Sequence, residues 1–406
     1  MHAVYDYIMQ NLPKTVREHK ESEDTLIGLP HPDTVPCIGD TFQELYYWDT
    51  YFINVGLLAV GQTALAKHNV DNMLYLVDTY GFMPNGSRTF YLNRSQPPFL
   101  WAMVRDVYEQ THDTAWLANA YGALCREYRF WQERRATDNG LNAYTGYAVT
   151  AEEAAWLYEY FTKRTGYTVA HPTDEDKIDV AKAAFAMFES GWDCTSRFCE
   201  DAHRINGADL NALLFGMETA MADFASVLQN GDEATWQSRA DIRKQRMNAI
   251  LWDNENGMFA DYNHRTGAFA AYRSAAAFYP LFCGAASDEQ AAATVRTLPR
   301  FVRKFGVSAG DEHSPWHCQW DDPHVWAPLQ YIVYEGLVRY GYLAEASRVA
   351  DTYCKLIEAA FDETGHLWEK YDGNTGKPAV SEYDAPPMLG WTAGVYLYFC
   401  KEHKKA

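Results

Sequence analysis

The chain has 406 residues, 48% of them hydrophobic, and a net charge of −19. That apolar content suffices for a large buried core, and the acidic balance argues against nucleic acid or an anionic membrane as a partner. No basic run of five residues occurs, and no apolar run is long enough to span a bilayer.

Residues 1–36 read as a leader packed on the remainder: one short helix, then polar residues with Pro30, Pro32 and Pro36. Residues 1–14 lack the apolar centre of a signal peptide, because Asp6, Gln10 and Asn11 interrupt it, so a cytoplasmic location is expected. Helical periodicity then dominates. Helices are predicted over 47–59, 65–79, 99–110, 114–137 and 152–165. A stripe of Ile178, Ala181, Phe185 and Phe188 runs into Gly191, which stops it through a left-handed turn. Leu210, Leu213, Leu214, Met217, Met221, Phe224 and Leu228 form one continuous apolar face over 209–228. Further helices are predicted over 235–251, 270–282, 288–298, 326–340, 344–360 and 391–403, with Pro328 in the first turn of the 326–340 helix.

These are about twelve helices in sequential antiparallel pairs. The long connections fall before Trp48, after Tyr80, after Gly191, before Trp320 and after Trp368. This pattern predicts an all-α fold, an (α/α)6 barrel with its long loops on one face, formed by residues 37–406 as a single domain. Aromatic residues make up 15% of the chain, with 28 Tyr and 13 Trp, as expected from rings that fill helix seams or stack on sugars. The eight cysteines form no CxxC pair and are expected to be buried free thiols rather than a metal or disulfide framework.

The long connections carry the chemically useful residues. GFMPNGSRTFYLNRSQPPFL, residues 81–100, holds Asn85, Arg88, Arg94 and Gln96, side chains suited to a hydroxyl-rich ligand. ESGWDCTSR places Asp193 beside Trp192 at a helix end. Gln319-Trp320-Asp321-Asp322-Pro323 precedes the helix at 326, and Trp368-Glu369-Lys370-Tyr371-Asp372 lies near the end. Taken singly, each reads equally as a turn, a cap or a solvated face. His313 and His317 lack the glutamate of an HExxH zinc site, and residues 253–257 read as a turn rather than a calcium loop, so no metal or other cofactor is expected.

Together with FQELYYWDTYFINVGLL, ADLNALLFGMETA, QWDDPHVWAPLQ, EKYD and the late Gly390-Trp391, these motifs resemble the trehalases of glycoside hydrolase family 37, in order from about Cys37 to Phe399. The resemblance implies an (α/α)6 barrel and hydrolysis of α,α-trehalose with inversion. It implies Asp193 as general acid and Glu369 as general base. Such a pair needs one protonated and one ionised carboxyl roughly 6.5–9.5 Å apart, with a water between, and Trp192 could raise the acid's pKa by desolvation. Trp48, Asp49, Asn85, Arg94, Gln319 and Trp320 match positions that grip the first sugar. Gln96, Trp192 and Trp391 from the same motifs join them as candidate substrate-binding residues. An arginine at position 94 could equally brace Asp193 or Glu369.

The chain also departs from the family pattern. Gln43 stands where an arginine is expected. An arginine-rich segment before ESGWD is replaced by residues 147–166, with Tyr158 and Tyr160. A glycine-rich lid is replaced by residues 373–387, with Glu382, Tyr383, Asp384, Pro386 and Pro387. The partner implied is a small saccharide, with trehalose first. Another α-glucoside, or a glucosyl- or mannosylglycerate of the related family 63, is the alternative. Two other readings are an (α/α)6-barrel sugar isomerase or epimerase using His203, His313, His317 or His324, and a sugar-binding protein without activity.

Overall fold

Local chemistry sets the helix ends. Thr173 and Asp176 form a reciprocal capping box, as do Ser287 and Gln290, and the Asp113 carboxylate accepts from Trp116 N–H. Gly81, Gly191 and Gly365 end their helices in the left-handed conformation. The computed structural model describes residues 3–146, 150–165, 170–313, 318–380 and 384–402. Among them run α1 (Ala3–Asn11), α2 (Tyr47–Ala59), α3 (Thr63–Tyr80), α4 (Leu100–Thr111), α5 (Thr114–Arg134), α6 (Ala151–Thr165) and α7 (Asp174–Ser190). After these come α8 (Ala208–Leu228), α9 (Glu233–Ile250), α10 (Tyr279–Phe282), α11 (Asp288–Thr297), α12 (Ala327–Arg339), α13 (Leu343–Thr364) and α14 (Gly390–Glu402).

The helices form an (α/α)6 barrel. Helices α2, α4, α8, α10, α12 and α14 each pack on the next, and α14 closes the ring on α2. Around them stand α3, α5, α9, α11 and α13, with α1 against α13. Inner helices are apolar nearly all round because both their faces are covered: α2 is buried from Tyr47 to Leu57. The ring closes tightly at Gly56 and Gly394. A Cβ on Gly394 would stand 2.0 Å from Phe52 O, and one on Gly56 would stand 2.4 Å from Gly394 Cα. The pair α6–α7 is inserted between the α5 and α8 pairs and delivers Gly191 and Asp193 to the mouth of the barrel formed by the inner helices' N-termini.

The leader lies against the barrel. Residues 16–17 pair with 33–34, Asn69 Nδ2 donates to Thr34 Oγ1 at 2.9 Å, and the Tyr7 ring meets Phe361 at 4.9 Å. Two expected helices differ. Residues 270–282 do not form one helix: the chain is irregular to Ser274, makes a 3-10 turn over Ala275–Phe278, and becomes α-helical for Tyr279–Phe282 alone. Ser274 caps that turn through Ala276 N–H, and Pro280, which has no N–H to donate, fits only within the first turn of the short α10. Trp326 is extended rather than helical, paired with Lys370 in the antiparallel strands His324–Trp326 and Lys370–Asp372.

Candidate active site

Strand pairing and helix starts bring the candidate residues to one place. A cavity of about 140 Å³ at the N-terminal mouth is lined by Trp48, Asp49, Asn85, Arg94, Gln96, Gly191, Asp193, Gln319, Trp320, Glu369 and Trp391. Trp48 and Asp49 occupy the first turn of α2, and Trp391 the first turn of α14. Asn85 is fixed through its backbone, since its N–H donates to Arg94 O at 3.0 Å and its carbonyl accepts from Tyr47 N–H at 3.0 Å. Arg94 Nε donates to Asn85 Oδ1 at 2.9 Å, and Gln96 Oε1 accepts from Trp48 N–H at 3.3 Å.

The floor is indole. Trp320 stacks on Trp326, with centroids 3.9 Å apart and planes 3° from parallel, and Trp48 and Trp391 meet them edge-on or tilted. Trp192 is placed elsewhere than the resemblance suggests. It is wholly buried behind Trp320, at 5.1 Å, with the Arg197 guanidinium 4.8 Å from its ring, and it supports the floor without lining the cavity. Gly191 brings the chain against Trp48, where a Cβ would stand 2.7 Å from the ring.

Three carboxylates share this space. Asp49 is buried, and its carboxyl is pushed up to about 8, first by burial and then by the charges of Glu369 and Asp193. Asp193 is partly open to the cavity, whereas Glu369 is 4% exposed. Glu369 is held by its backbone: its N–H donates to Pro386 O at 3.1 Å, and its carbonyl accepts from Trp391 Nε1 at 3.0 Å. Beside it is a group the sequence did not single out. Lys370, fully buried, places Nζ 3.5 Å from Glu369 Oε2 and 2.5 Å from Gln319 Oε1. Burial pushes the Arg94 guanidinium below its usual value, opposed mainly by Asp193.

Behind the wall, Glu189 at the end of α7 is completely buried. It accepts from Arg135 Nε and Nη2 at 2.7 Å each, from Ser95 N–H at 2.8 Å and from Thr145 N–H at 2.9 Å. This cluster locks the Arg94–Gln96 strip to the turn that carries Asp193. Arg197 does the same on the far side, bonded to both Asp209 and Asp261.

Phe42, Tyr46, Tyr91, Trp326 and Met388 also line the cavity and were not anticipated. Tyr91 lies in a motif already singled out, and Trp326 in the same run as Trp320. Gln43, at the position of the expected arginine, is instead met by one from the leader: Arg17 Nε donates to Gln43 Oε1 at 3.0 Å. Among the described residues no histidine lines the cavity. His203 faces Asp179 at 3.3 Å and is pushed down to about 4 by burial, His313 pairs with Asp322 through a backbone β-bridge, and His324 is buried in its strand; His317 lies outside the described residues. Asp253 makes the expected turn, its Oδ1 accepting from Glu255 and Asn256 N–H at 3.0 Å each. Tyr160, part exposed on α6, meets Phe188, which lies under Arg94. Glu382 and Tyr383 lie outside the described residues.

A helical barrel with acids and amides above an indole floor fits a glycoside hydrolase, and comparison with known proteins identifies the family. The Trehalase family profile matches residues 1–404, and the chain belongs to that family. A periplasmic trehalase of Xanthomonas axonopodis pv. citri (strain 306) is 36% identical over 424 residues, covering 97% of this chain and 72% of the relative. The solved neutral trehalase Nth1 from Saccharomyces cerevisiae superposes with a TM-score of 0.79 at 28% identity, covering 98% of this chain and 79% of that one. A family 63 mannosylglycerate hydrolase from Thermus thermophilus, solved with glucose, shares the fold with a TM-score of 0.68 at 18% identity, covering 98% and 100% of the two chains. The chain is a glycoside hydrolase acting on a saccharide. The cytoplasmic expectation is corrected by the same comparison, since the matching curated relatives are named periplasmic trehalases.

Proposed function

We propose that this chain hydrolyses α,α-trehalose with inversion at the attacked carbon, with Asp193 as general acid and Glu369 as general base. The observation that carries the reading is the convergence of both carboxylates on one cavity beside Asp49 and the Trp48–Trp320–Trp391 floor. One glucose ring lies on the indoles, its hydroxyls bonded by Asp49, Asn85, Arg94, Gln96 and Gln319. Asp49, carrying a proton up to about pH 8, donates to a sugar hydroxyl rather than adding a third negative charge. Asp193 faces the open side, where it can protonate the leaving oxygen. Glu369 takes a proton from the attacking water, and Lys370 sets a cation 3.5 Å from its carboxylate.

The test is proton NMR of the first product formed from trehalose. Inversion releases one β-glucose and one α-glucose per turnover, and two α anomers would exclude it. Asp193→Asn should also suppress trehalose cleavage far more than cleavage of glucosyl fluoride, whose leaving group needs little protonation. Equal loss on both would reassign Asp193 to binding.

The second sugar is held differently from the family pattern. Arg94 is the one arginine lining the cavity among the described residues, so the leaving-group site is expected to accept other α-glucosides. Candidate contacts come from Tyr158, Tyr160 and residues 373–387. A panel of α-linked disaccharides on which trehalose alone reacts would overturn this part.

A further inference from the structure

Two connections form one wall of the cavity, 192–198 after α7 and 318–326 before α12, and they are zipped together. Trp320 N–H donates to Cys194 O at 3.2 Å, and Gln319 Nε2 donates to Asp193 O at 3.2 Å. Thr195 Oγ1 donates to Trp320 O at 3.2 Å, and the Asp321 carboxylate accepts from Ser196 N–H at 2.8 Å and Ser196 Oγ at 2.6 Å. In this seam Cys194 and Cys318 face one another with their Sγ atoms 2.7 Å apart, both almost wholly buried. Cys194 also holds a left-handed backbone, φ +57°, which a residue with a side chain keeps only where its surroundings impose it.

We propose that Cys194 and Cys318 are joined by a disulfide in the working enzyme, fastening the connection that carries Asp193 to the one that carries Gln319 and Trp320. Three observations converge on this. The sulfurs are in contact, the hydrogen bonds on both sides hold the two backbones at fixed separation, and the matching relatives are named for the periplasm, a compartment in which disulfides form and persist. In the structure both are buried thiols, as expected from the sequence, and oxidation joins them. Because both are buried, the bond forms during folding, by exchange with an oxidised dithiol or glutathione disulfide. One cysteine thiolate attacks the donor disulfide and releases one donor thiol. The second thiolate then attacks the mixed disulfide at the first cysteine's sulfur and releases the other. The two cysteine protons pass to the two released thiols, which carry away the electron pair.

The bond itself stands apart from the assignment of Asp193 as acid; its effect on turnover rests on that assignment. The test is peptide mapping of the full-length protein, refolded with excess glutathione disulfide or exported to a bacterial periplasm, alkylated without reduction and digested. The expected result is a peptide pair containing Cys194 and Cys318, lighter by two hydrogens than its parts and lost on phosphine treatment. Mapping is needed because Cys354 also lies against Cys400. Reduction should lower the melting temperature by roughly 5 °C, as expected on opening a cross-link across so long a loop. It should lower trehalose turnover about tenfold, through a shift of Asp193 against the bound ring. In the double variant Cys194→Ser, Cys318→Ser the phosphine should no longer lower trehalose turnover. Recovery of both cysteines as separate alkylated peptides under both oxidising conditions would overturn the proposal. A cross-linked peptide in a protein that leaves trehalose intact would uphold the bond and count against the substrate reading alone.

Discussion

The two mouths of the barrel are built from opposite ends of the same inner helices, and they differ in a way that volume does not reveal. The C-terminal mouth is the roomier, at about 530 Å³, lined by Arg105, Asp106, Asp223, Glu335, Arg339 and Lys401 among others. Several of its charges have local partners: Arg105 meets Asp106 at 2.7 Å, Glu335 accepts from Tyr398 at 2.5 Å, and Arg339 donates to Phe282 O at 3.0 Å. The N-terminal mouth is smaller, yet it crowds Asp49, Asp193 and Glu369 together with much less basic charge to offset them. Helix N-termini offer partial positive charge, which favours carboxylates at the first mouth. What marks the candidate site is a set of carboxyls crowded until Asp49 keeps its proton, over an aromatic floor, rather than the amount of open space.

The sharpest way to break this comparison is to neutralise one acid at each mouth. Asp193→Asn or Glu369→Gln should lower kcat on trehalose by about 10²–10⁴-fold, whereas Glu335→Gln, at the opposite mouth, should leave kcat nearly unchanged. Comparable losses from both mouths in a glucose-release assay would end the distinction.

The next largest effect lies behind the N-terminal wall. Arg135→Met leaves the Glu189 carboxylate buried without its cation, and breaking such a pair costs about 3–5 kcal/mol. Urea unfolding should show it, with turnover reduced because Ser95 and Thr145 N–H lose their fixed acceptor.

Asp49 sharpens the comparison through pH. Its carboxyl ionises near 4 when unfolded and at about 8 when folded, so between those values the native chain holds a proton that the unfolded chain has lost. Its contribution to stability is therefore full below about pH 4 and is lost as pH rises towards 8. In that window the unfolding free energy of the parent should fall relative to Asp49→Asn by up to about 1.4 kcal/mol per pH unit. Parallel stability–pH curves would show that Asp49 is ionised in the fold.

The smallest expected change is at Lys370. Lys370→Met removes the cation beside Glu369 and the donor to Gln319, and kcat/KM should drop roughly tenfold, with the acidic limb of the rate profile moved to higher pH. An unchanged profile would make Lys370 a packing residue.

Most of the barrel was legible in the chain because its helices are punctuated. The 47–59 helix is a long apolar run that ends just before Gly61, and Gly191 and Gly365 end theirs by backbone conformation. The failure at 270–282 has a physical source: a run of alanines and aromatics buried on every side carries no period, so it does not distinguish a helix from a packed turn. The site was legible as a set of motifs but not as a geometry. Nothing in ESGWDC separates a tryptophan that lines the cavity from one buried behind Trp320. Lys370 was passed over because a lysine beside a glutamate reads as a solvated pair until burial shows otherwise. The thiol contact joins positions 124 residues apart, a relation that no local pattern carries.

Closure of the ring between Gly56 and Gly394 has a consequence for synthesis. Ribosomes deliver the chain from its amino end, and α2 waits with one flank uncovered while every later pair is made. Until α14 emerges and docks, the wall holding Trp391 is missing and the Glu369 carbonyl has no indole donor. Hydrolytic competence is therefore withheld from the nascent chain until α14 docks, so a truncation that stops short of Gly390 should yield a product that is inactive and, with the α2 flank exposed, prone to aggregate.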